Sequence, residues 1–272
     1  MNELWFLPIG VAVGAFGTLI GAGGGFLLVP LLILLFPQDS PAMVTGASLA
    51  VVFLNAASGT VAYARMRRIG YKTGILFAAA TIPGALIGSW LTGYFSRKAF
   101  NGLFGILLLA MAVLVAVRRG GRAHDTEGTR RTSRRIVDTI VDREGVAHPL
   151  SYNVPLGISL SLLIGLFSSL IGIGGGIIHV PLLTSVFGFP MHIATATSHF
   201  ILVFTSLAGV AMHVLDGTWP AHLVRDILLG IGVVGGAQVG AFLSVRLKAS
   251  VITLAIAGAL ALVGVRLIVG AF

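Results

Sequence analysis

Cysteine is absent from the 272 residues, and charge is scarce, at 10% of side chains. The first absence excludes disulfides, thiolate metal sites and thiol chemistry. The second excludes an ordinary soluble domain, which carries roughly 25% charged residues. Acids number only nine, and none lies near the middle of a long apolar run. Asp39 and Asp216 fall in loops, and Asp226 falls near a helix start. A cation pathway or a carboxylate proton relay therefore lacks its usual groups. Enzyme signatures are missing too: there is no HExxH, no phosphate-binding Gly-Lys-Ser/Thr loop, and no nucleophile with a base and an orienting acid. The chain reads as a non-enzyme without metal or cofactor. Its start also lacks the basic region and small-residue cleavage site of a signal peptide, so the first apolar run is expected to be a retained membrane segment.

What is present is apolar. Hydrophobic residues make up 56% of the chain, and the mean hydropathy is +1.00. Such a chain uses lipid as solvent, and every backbone polar group must then be satisfied within the protein. The runs are continuous and not alternating, so helices are expected and a barrel is not. The formal net charge of +9 points to anionic lipid headgroups and not to nucleic acid, because the arginines sit in short loops and one linker.

Apolar runs span 4–36, 42–64, 74–94 and 100–117. Residues 118–150 then hold eight arginines and five of the nine acids. This stretch reads as a solvated connector with a short amphipathic helix at 134–146. The apolar pattern restarts at 154–187 and continues through 193–215, 221–245 and 251–269. The restart is a repeat. Gly21-Ala22-Gly23-Gly24-Gly25-Phe26-Leu27-Leu28-Val29-Pro30-Leu31-Leu32 aligns without gaps to Gly172-Ile173-Gly174-Gly175-Gly176-Ile177-Ile178-His179-Val180-Pro181-Leu182-Leu183. Thr45-Gly46-Ala47-Ser48 matches Thr195-Ala196-Thr197-Ser198, and Gly84-Ala85-Leu86-Ile87-Gly88 matches Gly236-Ala237-Gln238-Val239-Gly240. The expected organisation is a membrane repeat over 1–118, a basic cytoplasmic linker over 119–150 and a second membrane repeat over 151–272.

The fold class is an all-α polytopic membrane protein with broken first helices and 8–10 membrane segments. If each broken run crosses once, there are eight spans. If each is a hairpin of two short helices, there are ten, in two inverted fives. The second count places Arg246 and Lys248 with the other basic loops and is preferred. Its weakness is residues 26–36, which are too short for a span of about 20 residues.

Four glycines in five residues break a helix. Broken backbone at membrane depth is tolerated only where it is buried in protein or lines a cavity. The helix that follows presents unpaired N–H groups and the positive end of its dipole, which suits an anion. The competing reading is that small residues let helices pack closely. Two copies at matching places favour a site built on Gly23, Gly24, Gly25, Gly174, Gly175 and Gly176. Thr45, Ser48, Asn55, Thr195, Ser198, His199, Thr205 and Gln238 are expected to line it, although each could equally make a helix–helix hydrogen bond. His179 and His199 are the candidates for carrying a proton. His213, near a span end, is a weaker candidate.

The doubled Gly-rich motif, with the Thr-x-x-Ser after each copy, resembles the TauE/SafE sulfite exporter family over nearly the whole chain. The resemblance implies an anion transporter of the cytoplasmic membrane for small sulfur-containing anions such as sulfite or organosulfonates. Expected partners are a small anionic substrate and membrane lipid; a homodimer is compatible with the sequence. The first expectation is a secondary transporter, an exporter, working by alternating access. Alternatives are a passive small-anion channel, an importer of another carboxylate or sulfonate, and a non-transporting membrane scaffold.

Overall fold

The computed structural model describes residues 3–117, 135–141, 145–220 and 222–246, with residues 258, 261, 264 and 265 beyond them. A 3-10 turn (Glu3–Trp5) leads into α1 (Phe6–Ile20), followed by α2 (Gly25–Leu35), α3 (Pro41–Arg65), α4 (Tyr71–Thr92) and α5 (Arg97–Val117). Strands β1 (Arg135–Val141) and β2 (Ala147–Asn153) come next. Then follow α6 (Val154–Ile171), α7 (Gly176–Pro181) with a π turn (Leu182–Val186), α8 (Met191–Leu215) and α9 (Leu223–Arg246). Among the described residues, six helices are long and apolar enough to cross a membrane. The 25 residues of α3 reach roughly 37 Å, more than a hydrocarbon core of about 30 Å. The chain is a multi-pass α-helical membrane protein. Its starts are capped as the local sequence dictates: Ser40 accepts from the Met43 N–H ahead of α3, and Asn153 accepts from the Leu156 N–H ahead of α6, each with proline in the first turn.

Each broken segment doubles back. Phe6 at the start of α1 stacks at 5.9 Å on Phe36, just past the end of α2. Tyr152, just before α6, lies 5.7 Å from Phe187, just past the π turn. The short 26–36 stretch thus needs no full crossing; it returns to the face that α1 left.

Helix directions follow from backbone approaches. Gly10 and Gly14 of α1 abut Leu229 and Val233 of α9, so these two run parallel. Gly84 and Gly88 of α4 abut Leu162 and Leu166 of α6, again in parallel. By contrast, Thr45 at the start of α3 meets His213 near the end of α8, and Gly59 near the end of α3 meets His199 near the start of α8. These two run antiparallel. The most extensive packing is α1 on α9 and α4 on α6, followed by α3 on α8. The first helix of each half therefore packs on a later helix of the other, α1 on α9 and α6 on α4.

Glycine makes these pairings close. A Cβ on Gly84 would lie 2.1 Å from the Leu162 carbonyl oxygen, and one on Gly236 would lie 2.2 Å from that of Val11. No methyl fits, which is how small residues bring membrane helices into backbone contact. Ile75, Ile87 and Ile231 stay exposed on the outside of the bundle, where lipid is the solvent.

One face collects the end of α3 with Arg65, Arg67 and Arg68, the start of α4 with Lys72, the end of α5 leading to the Arg-rich linker, and the end of α9. The opposite face gathers Glu3, Asp39, Asp216 and Asp226, every acid outside 118–150. There Arg225, 3% exposed, bonds Asp39 at 3.1 Å and Asp226 at 2.9 Å, and stacks on Phe36 at 4.6 Å. His222 contacts Asp39 at 3.0 Å. Arg97 donates to the carbonyls of Asp39 and Ile33. The cluster ties the return of the first hairpin to the starts of α5 and α9.

The linker departs from expectation. Residues 135–141 form a strand, not an amphipathic helix, and pair antiparallel with 147–153, Ile140 opposite His148. Ile136, Val137, Thr139, Ile140 and Val141 are β-branched and favour strand over helix. Nor is this end of the linker only a solvated connector. Ile140, Leu150 and Tyr152 are buried in one cluster with Phe77, Phe187 and Phe189, and Thr73 donates to the Tyr152 hydroxyl at 2.9 Å. The hairpin caps the Arg-rich end of α4 and of the second broken segment.

Candidate functional site

The two Gly-rich breaks meet in the middle of the bundle. Gly21, Gly23 and Gly24 have φ of 85°, 74° and 83°; Gly172, Gly174 and Gly175 have 79°, 75° and 98°. L side chains rarely adopt this region, so glycine is required at each turn. A Cβ on Gly25 would lie 2.9 Å from Ile173 Cα, and one on Gly176 would lie 2.5 Å from the Gly21 carbonyl oxygen. The breaks are therefore in backbone contact with each other. The first N–H groups of α2 and α7 arise here and have no partner within their own helices.

Gly23 and Gly174 face the same two side chains. A Cβ on either would press against both Val52 and Leu202, which are mates in the register that sets Thr45 on Thr195. With Ala56 they form a small buried cluster. The centre of the site is thus closed by one apolar residue from each half.

The hydroxyls beside the breaks are engaged crosswise. Ser48 Oγ donates to the Gly172 carbonyl at 2.7 Å, while Ser198 Oγ donates to the Gly21 carbonyl at 3.1 Å and is 3.3 Å from that of Gly176. Thr45 lies against Gly172 and Thr195 against Gly21. Each half therefore holds the break of the other half.

Toward the Arg-rich face lies a second polar group. Thr18 Oγ1 donates to Asn55 Oδ1 at 2.8 Å and is 3.3 Å from His199 Nε2. Tyr63 donates its hydroxyl proton to the Thr18 carbonyl at 2.8 Å. Asn55 is fully buried and its Nδ2 has no partner among the described residues. An unpaired buried amide donor is costly, on the order of 1–3 kcal/mol, and calls for an explanation. Toward the opposite face, Thr205 donates to Thr81 Oγ1 at 2.8 Å. His179 Nδ1 is 3.1 Å from the Gly175 carbonyl, which can only accept, so that nitrogen carries the proton.

The structure thus brings Gly23–Gly25, Gly174–Gly176, Thr45, Ser48, Thr195 and Ser198 to one place, with Asn55, His199, His179 and Thr205 in the layers next to it. Gln238 stands apart. It is exposed at the α3–α9 seam, where its Nε2 donates to Ser58 O and Ser58 Oγ, each at 2.8 Å. Thr18, Tyr63, Val52 and Leu202 were not singled out in the sequence. Val52 and Leu202 carry no polar signal; they are recognisable only as repeat mates. Among the described residues, no group of three or more His, Cys, Asp or Glu could hold a metal ion.

A polytopic helical bundle with two broken segments meeting at its centre is an arrangement that membrane transporters use. The model of the family "Sulfite exporter TauE/SafE" matches residues 6–267, and the chain belongs to that family. It is 29% identical over 274 residues to "Probable membrane transporter protein YunE" of Bacillus subtilis, covering 98% of each chain. It is 30% identical over 215 residues to a "probable membrane transporter protein" of Methanocaldococcus jannaschii, covering 77% of this chain and 72% of the other. No solved structure matches it. The chain is a membrane transporter and not an enzyme.

Proposed function

We propose that this transporter moves small sulfur-containing anions, such as sulfite or an organosulfonate, across the cytoplasmic membrane by alternating access, with export as its physiological direction. The observation that carries this reading is the meeting of the two breaks. Irregular backbone at membrane depth, placed where two half-helix N-termini arise, suits an anion. The absence of acids from the spans agrees, as does the unpaired Asn55 amide, a donor awaiting an acceptor. The antiparallel run of α3 and α8 supports inverted repeats, the arrangement that lets one end open as the other closes. The excess of arginines on one face favours a cytoplasmic position for it.

Alternating access is favoured over a passive channel because Val52 and Leu202 close the centre. Flux of labelled sulfite or sulfoacetate into proteoliposomes tests both points. Saturable uptake, weakened about tenfold or more by Asn55→Ala, is the expected result. Flux linear in concentration, or unchanged in the variant, is the contrary one.

A further inference from the structure

Repeat mates that differ show where a symmetric frame has become directional. In the Thr45–Thr195 register, Tyr63 in α3 is the mate of His213 in α8. Tyr63 is 1% exposed and sealed against Ala62, Ile69, Ala196 and Ala241 at the Arg-rich end. It lies edge-on to His199 at 5.5 Å. His213, at the opposite end, lines a cavity of about 210 Å³ between α3, α4 and α8, together with Ser89, Trp90, Asp216 and Thr218. The Tyr63 position is packed among described residues, whereas the His213 position borders a cavity.

Each ring nitrogen of His213 faces a threonine hydroxyl. Thr45 Oγ1 lies 3.2 Å from Nε2 and within reach of the carbonyls of Pro41 at 2.9 Å and Ala42 at 3.1 Å. Thr218 Oγ1 lies 3.0 Å from Nδ1 and 3.1 Å from the His213 carbonyl. When both hydroxyls turn their protons to these carbonyls, both ring nitrogens face acceptors and an imidazolium is accommodated; when either turns to the ring, the neutral imidazole is. Besides His213, Asp216 just past α8 and Tyr94 beyond α4 are the titratable groups that line this cavity among the described residues; from α3, Ala42 lines it, while Thr45 and Gly46 lie against His213. Ser89 is 1% exposed, yet its hydroxyl has no partner among the described residues. At the floor Ser89 meets Leu49 over Gly209, next in sequence to the Ser48 that holds Gly172.

We infer that this cavity is the outer exchange subsite, where the transported oxyanion enters or leaves with one proton, the Ser89 hydroxyl donating to it and the His213 imidazolium supplying the charge. The proton resides on His213 while the anion occupies the cavity, and Asp216 balances the imidazolium when the cavity is empty. This assignment rests on the proposed anion transport and adds its coupling ion and its outer port.

The test is labelled-sulfite uptake by purified protein in proteoliposomes at a series of external pH values. Wild-type uptake is expected to rise as the external pH falls. His213→Gln keeps the bulk of the ring but cannot carry charge; it should flatten the pH profile and cost about tenfold in uptake. Ser89→Ala should raise KM about tenfold while kcat and the pH profile stay as in wild type. A second readout does not depend on transport. In this cysteine-free chain, the thiol of a Ser89→Cys variant should react with a membrane-impermeant maleimide from the outer side, and sulfoacetate should slow the reaction. The inference is overturned, with anion transport left standing, if His213→Gln and Ser89→Ala both keep the wild-type KM and pH profile, or if labelling of Ser89→Cys ignores sulfoacetate. Wild-type protein that moves no sulfur oxyanion overturns both.

Discussion

Ser48 and Gly172 lie 124 positions apart, yet the serine hydroxyl donates to the glycine carbonyl at 2.7 Å. Ser198 and Gly21 repeat the relationship from the other half at 3.1 Å. The break in each half is thus fixed by a helix of the other, so the two breaks respond together to any movement of α3 against α8.

Removing either hydroxyl leaves a buried carbonyl unpaired. Ser48→Ala should destabilise the protein by about 1–3 kcal/mol, as should Ser198→Ala. The double variant should lose less or more than the sum, because the two bonds converge on breaks in contact with each other. Thermal unfolding in detergent, analysed as a double-mutant cycle, measures the coupling. Strict additivity would mean that the breaks move independently.

Gly235 and Gly236 are neighbours in α9 with opposite surroundings. Nothing lies within 4 Å of a Cβ on Gly235, whereas one on Gly236 would lie 2.2 Å from the Val11 carbonyl oxygen. Gly235→Ala should be neutral or stabilise by up to about 1 kcal/mol through helix propensity. Gly236→Ala should push α1 off α9 and lower the yield of monodisperse protein. Size-exclusion profiles of the pair distinguish packing from propensity.

Leu202 and Val52 close the centre against Gly23 and Gly174. Leu202→Ala should remove the barrier on one side at a cost of about 2–5 kcal/mol in stability. Its expected signature is an uncoupled leak of small anions from loaded liposomes, absent from wild type. A tight variant would show that the barrier lies elsewhere.

Arg225 is the cation shared by two buried carboxylates. Arg225→Ala alone strands Asp39 and Asp226 and should cost about 3–5 kcal/mol. Adding Asp39→Asn and Asp226→Asn should recover much of that loss. Half-lives of thermal inactivation for the single and triple variants test this.

Much of the architecture was legible in the chain because it depends on composition and period. The long apolar runs coincide with the six described helices able to cross a membrane, while the run at 251–269 lies mostly outside the described residues. The two Gly-rich copies coincide with the two breaks that meet in the bundle. The shortness of residues 26–36 counted against the hairpin reading; the return of α2 to the face that α1 left removes the objection. Other features depend on which surfaces meet. Gly10 and Gly14 look no different from any small-residue stripe until α9 brings Gly232, Gly236 and Gly240 against α1. Gln238 shares a segment with those glycines but points to the other side of the helix, a distinction that the alignment to Val/Ile-rich neighbours concealed. The strand at 135–141 was hidden by its charges. Its β-branched residues carried the signal, and the surrounding arginines drew attention to an amphipathic helix instead. Ser48 and Ser198 were expected beside the site, but the crossing of each to the opposite break could not be read from spacing within one half.

The exchange of partners between halves also sets a schedule for biosynthesis. The helix α1 ends at Ile20, and its main partner α9 does not begin until Leu223. At ~5–20 residues per second, α1 waits on the order of ten to forty seconds before that surface exists. Through that interval its glycine stripe has only lipid, the insertion machinery or a transient neighbour to lie against. The α1–α2 hairpin is therefore made long before the helix that locks it. A ribosome stalled anywhere before α9 leaves a glycine-lined helix in the bilayer that membrane quality control can recognise.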